Sequence, residues 1–277
     1  MNNEKNNMVE KYILGMIAET QVHVGAGESA GFVDLPFSRE STTSYPVIHG
    51  SSIKGAFKEM CENSFDKKNI NKMFGDNDES GAGNIVFSDA RILLLPVRSL
   101  TSQYKWVTCP YIIERLKRDI ERLKIPTNCK IEVPKVDKGF ALGKDMPKVF
   151  LEERLLNING TIPDEVLNCF NDIIKSEGIK NRLKSQLIIL SDDDFKWFAQ
   201  YGLQVNARNV LDQNKISQNL WYEETMPVDS IFYTLVFNRF PNESINEFVN
   251  FIKENHYLRV GGNETIGQGW FNINVYP

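Results

Sequence analysis

The sequence predicts an α+β fold, and three observations carry that expectation. A strand, a helix and a second strand open the chain, the same order closes it, and a long segment with helices of its own lies between. The opening strand is Lys11 to Val24, where β-branched and apolar residues mix with polar ones before running into glycines. Gly50-Ser51-Ser52 then offers N-cap chemistry, and Ile53, Ala56, Phe57 and Met60 recur at i, i+3, i+4 and i+7, one buried helical face. The second strand is Asn84 to Val97, halted at Pro96 or just beyond. Toward the other end, Ser230 to Asn238 is strand-like, and Glu243 to Asn255 is an amphipathic helix with Ile245, Phe248, Val249 and Ile252 on one side. Phe271, Ile273 and Val275 alternate with Asn272 and Asn274 as a half-buried strand. The order βαβ, insertion, βαβ is that of a ferredoxin-like or RNA-recognition-type antiparallel sheet, whose open face commonly meets nucleic acid. Residues 1–98 and 230–277 are expected to form one discontinuous unit, with residues 99–229 inserted into it.

The insertion is expected to be largely helical. Pro110 suits the first position of a helix whose buried stripe is Ile112, Leu116, Ile120 and Leu123, while Arg115, Lys117, Arg118, Arg122 and Lys124 fill much of its remaining surface. Pro163 likewise opens a helix with Val166, Phe170, Ile173 and Ile174 turned inward. Between Gln204 and Glu224 the chain is rich in Asn and Gln, with Asp212-Gln213-Asn214 at its centre, the pattern of a long solvated hairpin tip.

Composition removes several classes. At 277 residues with 42% hydrophobic and 25% charged, the chain is neither disordered nor fibrous. Its longest apolar runs stop short of a membrane helix: Tyr12 to Ala18 meets Glu19 at once, and Ile92 to Val97 contains Pro96. A cytoplasmic protein with no membrane partner is expected. Cys61, Cys109, Cys129 and Cys169 are too widely spaced to form a C-x-x-C pair, and His23, His49 and His256 are too scattered for a histidine metal cage.

The net charge of -4 is not that of a protein that coats nucleic acid indiscriminately, but it averages over unlike parts. From Arg91 to Arg154 there are 14 Lys or Arg against 8 Asp or Glu, a net of +6, which leaves 18 against 28, or -10, elsewhere. Either charges are simply dealt unevenly, or the middle segment lines a groove for a polyanion, with Arg115, Lys117, Arg118 and Arg122 along its path.

Two glycine loops hold the chemistry. Gly25-Ala26-Gly27-Glu28-Ser29-Ala30 matches a loose dinucleotide pattern but fails on context, because Phe32-Val33-Asp34-Leu35-Pro36 stands where a helix should follow. Gly50-Ser51-Ser52-Ile53-Lys54-Gly55 places Lys before Gly, the reverse of a nucleotide-hydrolysing loop. A glycine loop otherwise offers exposed N–H groups and close backbone approach, useful for cradling phosphates, although either loop alone is more often a bulge or turn. The second runs from Val260 through Gly261-Gly262-Asn263 to Gly269.

At this point a resemblance becomes specific. His23-Val24-Gly25-Ala26-Gly27, Gly31 to Glu40, and Pro46-Val47-Ile48-His49-Gly50-Ser51-Ser52-Ile53-Lys54-Gly55 look like the opening of the RAMP superfamily, and within it the repeated backbone subunits of type III-B CRISPR Cmr complexes. Phe87-Ser88-Asp89-Ala90-Arg91 leading to Pro96-Val97-Arg98-Ser99, Val107-Thr108-Cys109-Pro110, Trp221-Tyr222-Glu223-Glu224 and Val260 to Gly267 extend the match in order over nearly the whole chain. Phe37-Ser38 departs from it, standing where Ile-Gln is expected. The resemblance implies a modified ferredoxin-like palm, a helical finger region and a β-hairpin thumb, placed at Gln204 to Met226. Copies of the chain would stack with other Cmr-complex subunits along a guide CRISPR RNA, and each would cut paired target RNA beside a nucleotide displaced by the thumb.

The same resemblance points to Asp34 as the catalytic residue, as a proton acceptor for the 2′-OH or as a ligand for a divalent metal ion, Mg2+ or Mn2+; the products implied are a 2′,3′-cyclic phosphate and a 5′-OH. Read without the resemblance, Asp34 is as readily a turn residue before Leu35-Pro36. His23, Glu223 and Glu224 are auxiliary candidates, each equally compatible with a structural role. Lys54, Ser52, Arg39 and Arg98 are expected on guide phosphates, with Gly27, Gly261, Gly262 and Asn263 bringing backbone amides to the same strand. Two other readings stay open: a binding-only backbone subunit, and an enzyme that processes precursor guide RNA.

Overall fold

The computed structural model describes residues 10–29, 31–76, 81–125, 129, 131–144 and 146–277. In chain order the elements are β1 (Lys11–Ala18), β2 (Val47–Ile48), α1 (Gly50–Glu62), α2 (Lys67–Phe74), β3 (Ile85–Phe87), β4 (Ala90–Ser99), β5 (Ser102–Thr108) and α3 (Pro110–Leu123). There follow β6 (Phe140–Leu142), β7 (Lys148–Leu151), β8 (Arg154–Gly160), α4 (Asp164–Ile174), α5 (Glu177–Gln186), β9 (Leu187–Leu190) and α6 (Asp192–Tyr201). The chain closes with β10 (Gln204–Leu211), β11 (Ser217–Thr225), β12 (Ile231–Asn238), α7 (Ser244–Glu254), β13 (Tyr257–Arg259) and β14 (Trp270–Tyr276). Local chemistry sets several boundaries. Pro110 begins α3 at the position where its missing N–H costs nothing, Asp66 caps α2 by accepting from Asn69 N at 2.8 Å, and Ser191 caps α6 ahead of three aspartates in its first turn.

One hydrogen-bonded sheet runs β13-β14-β1-β12-β4-β5-β9-β6-β8-β7, and β10 with β11 makes a separate two-stranded hairpin. β1 lies antiparallel between β12 and β14, so the two ends of the chain share one sheet. β7 returns to β4 through Ser99 and Leu151, so the six strands from β4 to β7 close on themselves. The insertion is therefore strand-rich as well as helical, which corrects the helical expectation. Its strands are short, only three residues in β6 and four in β7 and β9, and β9 is buried on both faces as Leu-Ile-Ile-Leu. Runs that brief, or that uniformly apolar, carry no alternation to read.

Register shows where the sheet is covered. Gly15 pairs with Tyr233 and Met16 with Phe232, so by the two-residue period Gly15 and Tyr233 share one face and Met16 and Phe232 the other. On the first face a Cβ at Gly15 would run into the Ile173 carbonyl of α4, and Tyr233 OH donates to Asp119 of α3 at 3.0 Å. On the second, Tyr12 OH reaches Asn246 of α7 at 3.2 Å, and Phe57, Phe74, Phe87 and Phe248 pack into one aromatic cluster. Both faces are occupied. Among the described residues, α3 and α4 pack over the face that a ferredoxin-like element order commonly leaves open to nucleic acid.

Two boundaries also differ. The stretch Asn84 to Val97 is two strands, parted where Ser88 Oγ accepts from Leu235 N and Asp89 turns out to bind Gly50 N at 2.7 Å. β4 then passes through Pro96 to Ser99, since pairing with β12 ends at Leu94 and one side of the strand asks for no donor there. Replacing Gly15 by Ala is expected to lower stability by about 1–3 kcal/mol through overpacking against α4. Gly178→Ala, where a methyl group meets nothing within 4 Å, is the control, and the two denaturant midpoints should move apart.

Candidate active site

Beyond β1 the chain leaves the sheet and folds back on itself. Val22 bridges Met226, Gly25 bridges Phe37, Ala26 N donates to Pro36 O at 3.1 Å and Ser29 N to Asp34 O at 2.8 Å. Ala30 of the glycine motif lies outside the described residues. The returning limb then runs parallel to β11: Leu35 N donates to Tyr222 O and Glu224 N to Leu35 O, each at 3.0 Å. The half-buried Asp34 is fixed at the foot of the hairpin, its Oδ2 accepting from Tyr222 N at 2.7 Å. Its Oδ1 has no hydrogen bond to the described residues, so one carboxylate oxygen is held and the other meets no protein donor.

Glu223 and Glu224 alternate across β11 and are both buried. Glu224 Oε1 accepts from Arg39 Nη2 at 2.8 Å and Oε2 from Phe37 N at 2.9 Å, which ties the Asp34 limb to the hairpin. Glu223 accepts from Arg208 Nε at 3.2 Å and from Asn263 Nδ2, joining the hairpin to the second glycine loop. His23 Nδ1 lies 2.8 Å from Glu224 O and 3.5 Å from Glu223 Oε1. A carbonyl only accepts, so Nδ1 carries a hydrogen toward Glu224 O. Asp34, His23, Glu223, Glu224, Arg39 and Asn263 thus belong to one connected site. Arg39 spends its guanidinium on Glu224, Ala199 O and Ser44 O.

The second loop closes over the same place. Gly262 N donates to His23 O at 2.9 Å, and Gly261, at φ 99°, leaves no room for a side chain against that carbonyl. Gly27, at φ 95°, is exposed and faces open space. Ser52 and Lys54 sit in the first turns of α1, and Lys54 makes no hydrogen bond or ion pair with the described residues. Arg98 stands apart at the end of β4, held by three hydrogen bonds to Glu152.

One group escaped sequence reading. Asp119 of α3 is buried and binds Arg91, Tyr233 OH at 3.0 Å and Arg122 Nη2 at 3.1 Å. Its signal was positional: it stands seven residues after Ile112 and three after Leu116, on the stripe expected to be apolar. Beside it Arg115 grips Glu40 with both terminal nitrogens. Burial alone would raise the Glu40 carboxyl, but hydrogen bonds from Arg115 and Thr43 and the charges of Arg115 and Arg91 outweigh it and hold it below its ordinary value of 4.5.

Among the described residues, no three His, Cys, Asp or Glu side chains gather around a metal-sized centre, and no helix is long and apolar enough to cross a membrane. A single carboxylate with one free oxygen does fit a hard cation that is shared with substrate phosphates and water.

The fold and the site together define an α+β protein in which a hairpin arm and two glycine loops meet around a cluster of carboxylates that includes Asp34. The model of the RAMP superfamily matches residues 16–272, and the chain belongs to that superfamily. It is 32% identical over 287 residues to the CRISPR system Cmr endoribonuclease Cmr4 of Pyrococcus furiosus, covering 96% of both chains. The crystal structure of oligomeric Cmr4 from Pyrococcus furiosus superposes with a TM-score of 0.77 at 28% identity, over 97% of this chain and 98% of that one. A type III-B Cmr-beta structure bound to cognate target RNA shares the fold, with a TM-score of 0.80 at 23% identity over 98% of each chain.

Two outcomes test the framework. Glu224→Ala leaves Arg39 and Phe37 N without their acceptor and should cost about 3 kcal/mol in denaturant unfolding. Because the Glu40 carboxyl is lowered in the folded state, its stabilising effect is complete above 4.5 and is lost as pH falls through the folded value. Arg115→Gln should therefore move the acid-unfolding midpoint to higher pH.

Proposed function

We propose that this chain is a repeated backbone subunit of a type III-B RNA-guided complex, holding guide CRISPR RNA along a stack of its own copies and cutting the complementary target RNA at Asp34. The observation that carries the reading is the hydrogen bond from Tyr222 N to Asp34 Oδ2, which places a half-free carboxylate at the foot of the hairpin. The full-length kinship to a Cmr endoribonuclease supports the activity, and the oligomeric relative supports the stack. The strands β14, β1, β12 and β4 with α1 and α7 are read as a ferredoxin-like palm, residues 99–229 as the inserted fingers and thumb, and the hairpin of β10 and β11 as that thumb.

RNA carries its own nucleophile. A hairpin that lifts one target nucleotide out of the duplex lets its 2′-OH align with the adjacent phosphate, and such positioning can lower the barrier by on the order of several kcal/mol. Asp34 Oδ1 accepts the 2′-OH proton, the 2′-oxygen bonds to phosphorus and the 5′-oxygen leaves with a proton from solvent, giving a 2′,3′-cyclic phosphate and a 5′-OH. Asp34 would hold a divalent cation, Mg2+ or Mn2+, which would supply charge neutralisation during cleavage. His23, Glu223 and Glu224 keep Asp34 in register with the hairpin, and Gly27, Gly261, Gly262 and Asn263 shape the adjoining loops.

In the reconstituted complex, Asp34→Asn should reduce target cleavage by about 10²- to 10⁴-fold, while guide and target binding stay at the level of the unsubstituted protein. Cleavage at the unchanged rate sinks the assignment. Chelation with EDTA should stop cleavage without releasing the guide; turnover that persists in EDTA removes the cation from the mechanism.

A further inference from the structure

The turn that leads into Asp34 carries an aromatic ring on its outside. Ser29 N closes this turn on Asp34 O at 2.8 Å, and Gly31 N donates to Ser29 Oγ at 3.1 Å, so the backbone is pinned on both sides of Phe32. Phe32 is fully exposed, the most exposed large apolar side chain among the described residues, ahead of Leu100 at 80%. That position forgoes the burial a phenyl ring would otherwise gain. A singly exposed apolar residue is common on any protein, and this one is set apart by its surroundings.

Leu35 bridges Glu223 in parallel, so by the two-residue period Asp34 and Tyr222 share the opposite face of the limb. Tyr222 and Leu220, two residues apart on β11, are both exposed. Asp34 therefore has one exposed aromatic residue two positions before it in the chain and another beside it on the hairpin. From Ala26 to Pro36 there is no Lys or Arg. A turn with an exposed ring and no cation has little to offer a phosphate and suits a flat, uncharged group. Such a group joined to a phosphate is a nucleotide. In a duplex both faces of a base are already stacked, so only a nucleotide displaced from it has a face to give.

We propose that Phe32 is the stacking platform for the base of the displaced target nucleotide, the one whose 2′-OH attacks the phosphate on its 3′ side. The proposal rests on the Asp34 reading above and deepens it. Stacking fixes the base, the base restricts its ribose, and the 2′-OH is then presented to Asp34 in line with phosphorus more of the time. Phe32 positions the substrate and takes no part in proton transfer. A phenyl ring has no hydrogen-bonding group, so it answers to the area of a base and not to its identity. A purine is held better than a pyrimidine at this place.

The test uses the full chain in its guide-loaded reconstituted complex, under single-turnover conditions. Three target RNAs differ only at the nucleotide on the 5′ side of the mapped cut, which is adenosine, an abasic ribose or 2-aminopurine riboside. Phe32→Ala should slow cleavage of the adenosine target on the order of tenfold, and Phe32→Trp should not. On the abasic target Phe32→Ala should match the unsubstituted protein, because the ring then has no base to hold. With 2-aminopurine, measured in an Asp34→Asn background so that the target stays whole, fluorescence should rise when Phe32→Ala is added. Phe32 is fully exposed, so its removal leaves the packed core intact, which circular dichroism checks. Equal slowing of the adenosine and abasic targets makes Phe32 a shaper of the turn and overturns the platform. An unchanged rate on the adenosine target overturns it too and leaves the Asp34 reading standing, whereas an Asp34→Asn complex that cuts at the full rate sinks that reading and the platform with it. Loss of subunit assembly before target is added makes Phe32 a contact between copies of the chain and likewise overturns the proposal.

Discussion

The Glu224 carboxylate is the interaction on which the site depends. It joins Phe37 N and Arg39 to β11 across 187 and 185 residues of sequence, and it does so from a buried position where each of its oxygens has a partner. The parallel run of Leu35 along Tyr222 to Glu224 contributes only two backbone hydrogen bonds, too few to hold a strand by itself. With the carboxylate added, the limb carrying Asp34 and the foot of the hairpin move as one body. The position of Asp34 relative to the arm is thus set by a charge-assisted contact and not by loop length.

Covering both faces of the sheet leaves its rim as the part open to a partner. Gly15 under α4 and Tyr233 against Asp119 of α3 use up the face that an RNA-recognition sheet leaves open. What remains accessible are the loops beyond β1, the second glycine loop, the first turn of α1 and the hairpin. Those are the segments that the family match singled out. The rim supplies amides, carboxylates, arginines and the Phe32 ring on backbone that is already fixed, whereas an open sheet would supply a row of aromatic platforms.

Much of this was legible in the chain. The helical stripe of Ile53, Phe57 and Met60 marks α1, Pro110 marks the start of α3, and the Asn- and Gln-rich stretch around Asp212 marks the hairpin, whose tip closes with Asn214 N and Ile216 N both on Asp212 Oδ1 at 2.8 Å. These features are local, and local patterns survive in sequence. The six-stranded closure from β4 to β7 was not legible, because it depends on strands of a few residues and on parallel pairings such as Val107 with Ile188 that no neighbour in sequence announces. For the site, glycines, acids and histidine could be named from the motifs. Which carboxylate is spent on structure could not, since Glu223, Glu224 and Asp34 differ only in the partners the fold brings to them. Asp119 shows the converse: a charge on an apolar stripe is legible as buried, and its partners Arg91 and Tyr233 are not.

The placement of β1 carries a consequence for how the molecule is made. Its sheet neighbours are β12 and β14, both drawn from the last 47 residues of the chain, while β1 itself occupies residues 11–18. During synthesis this apolar strand is made long before β12 and β14, and it has no native sheet partner until they follow. An unpaired apolar strand waiting through that interval is a site for off-pathway association with other nascent chains. The discontinuous sheet therefore leaves β1 as the strand that waits longest for its neighbours as the fold assembles.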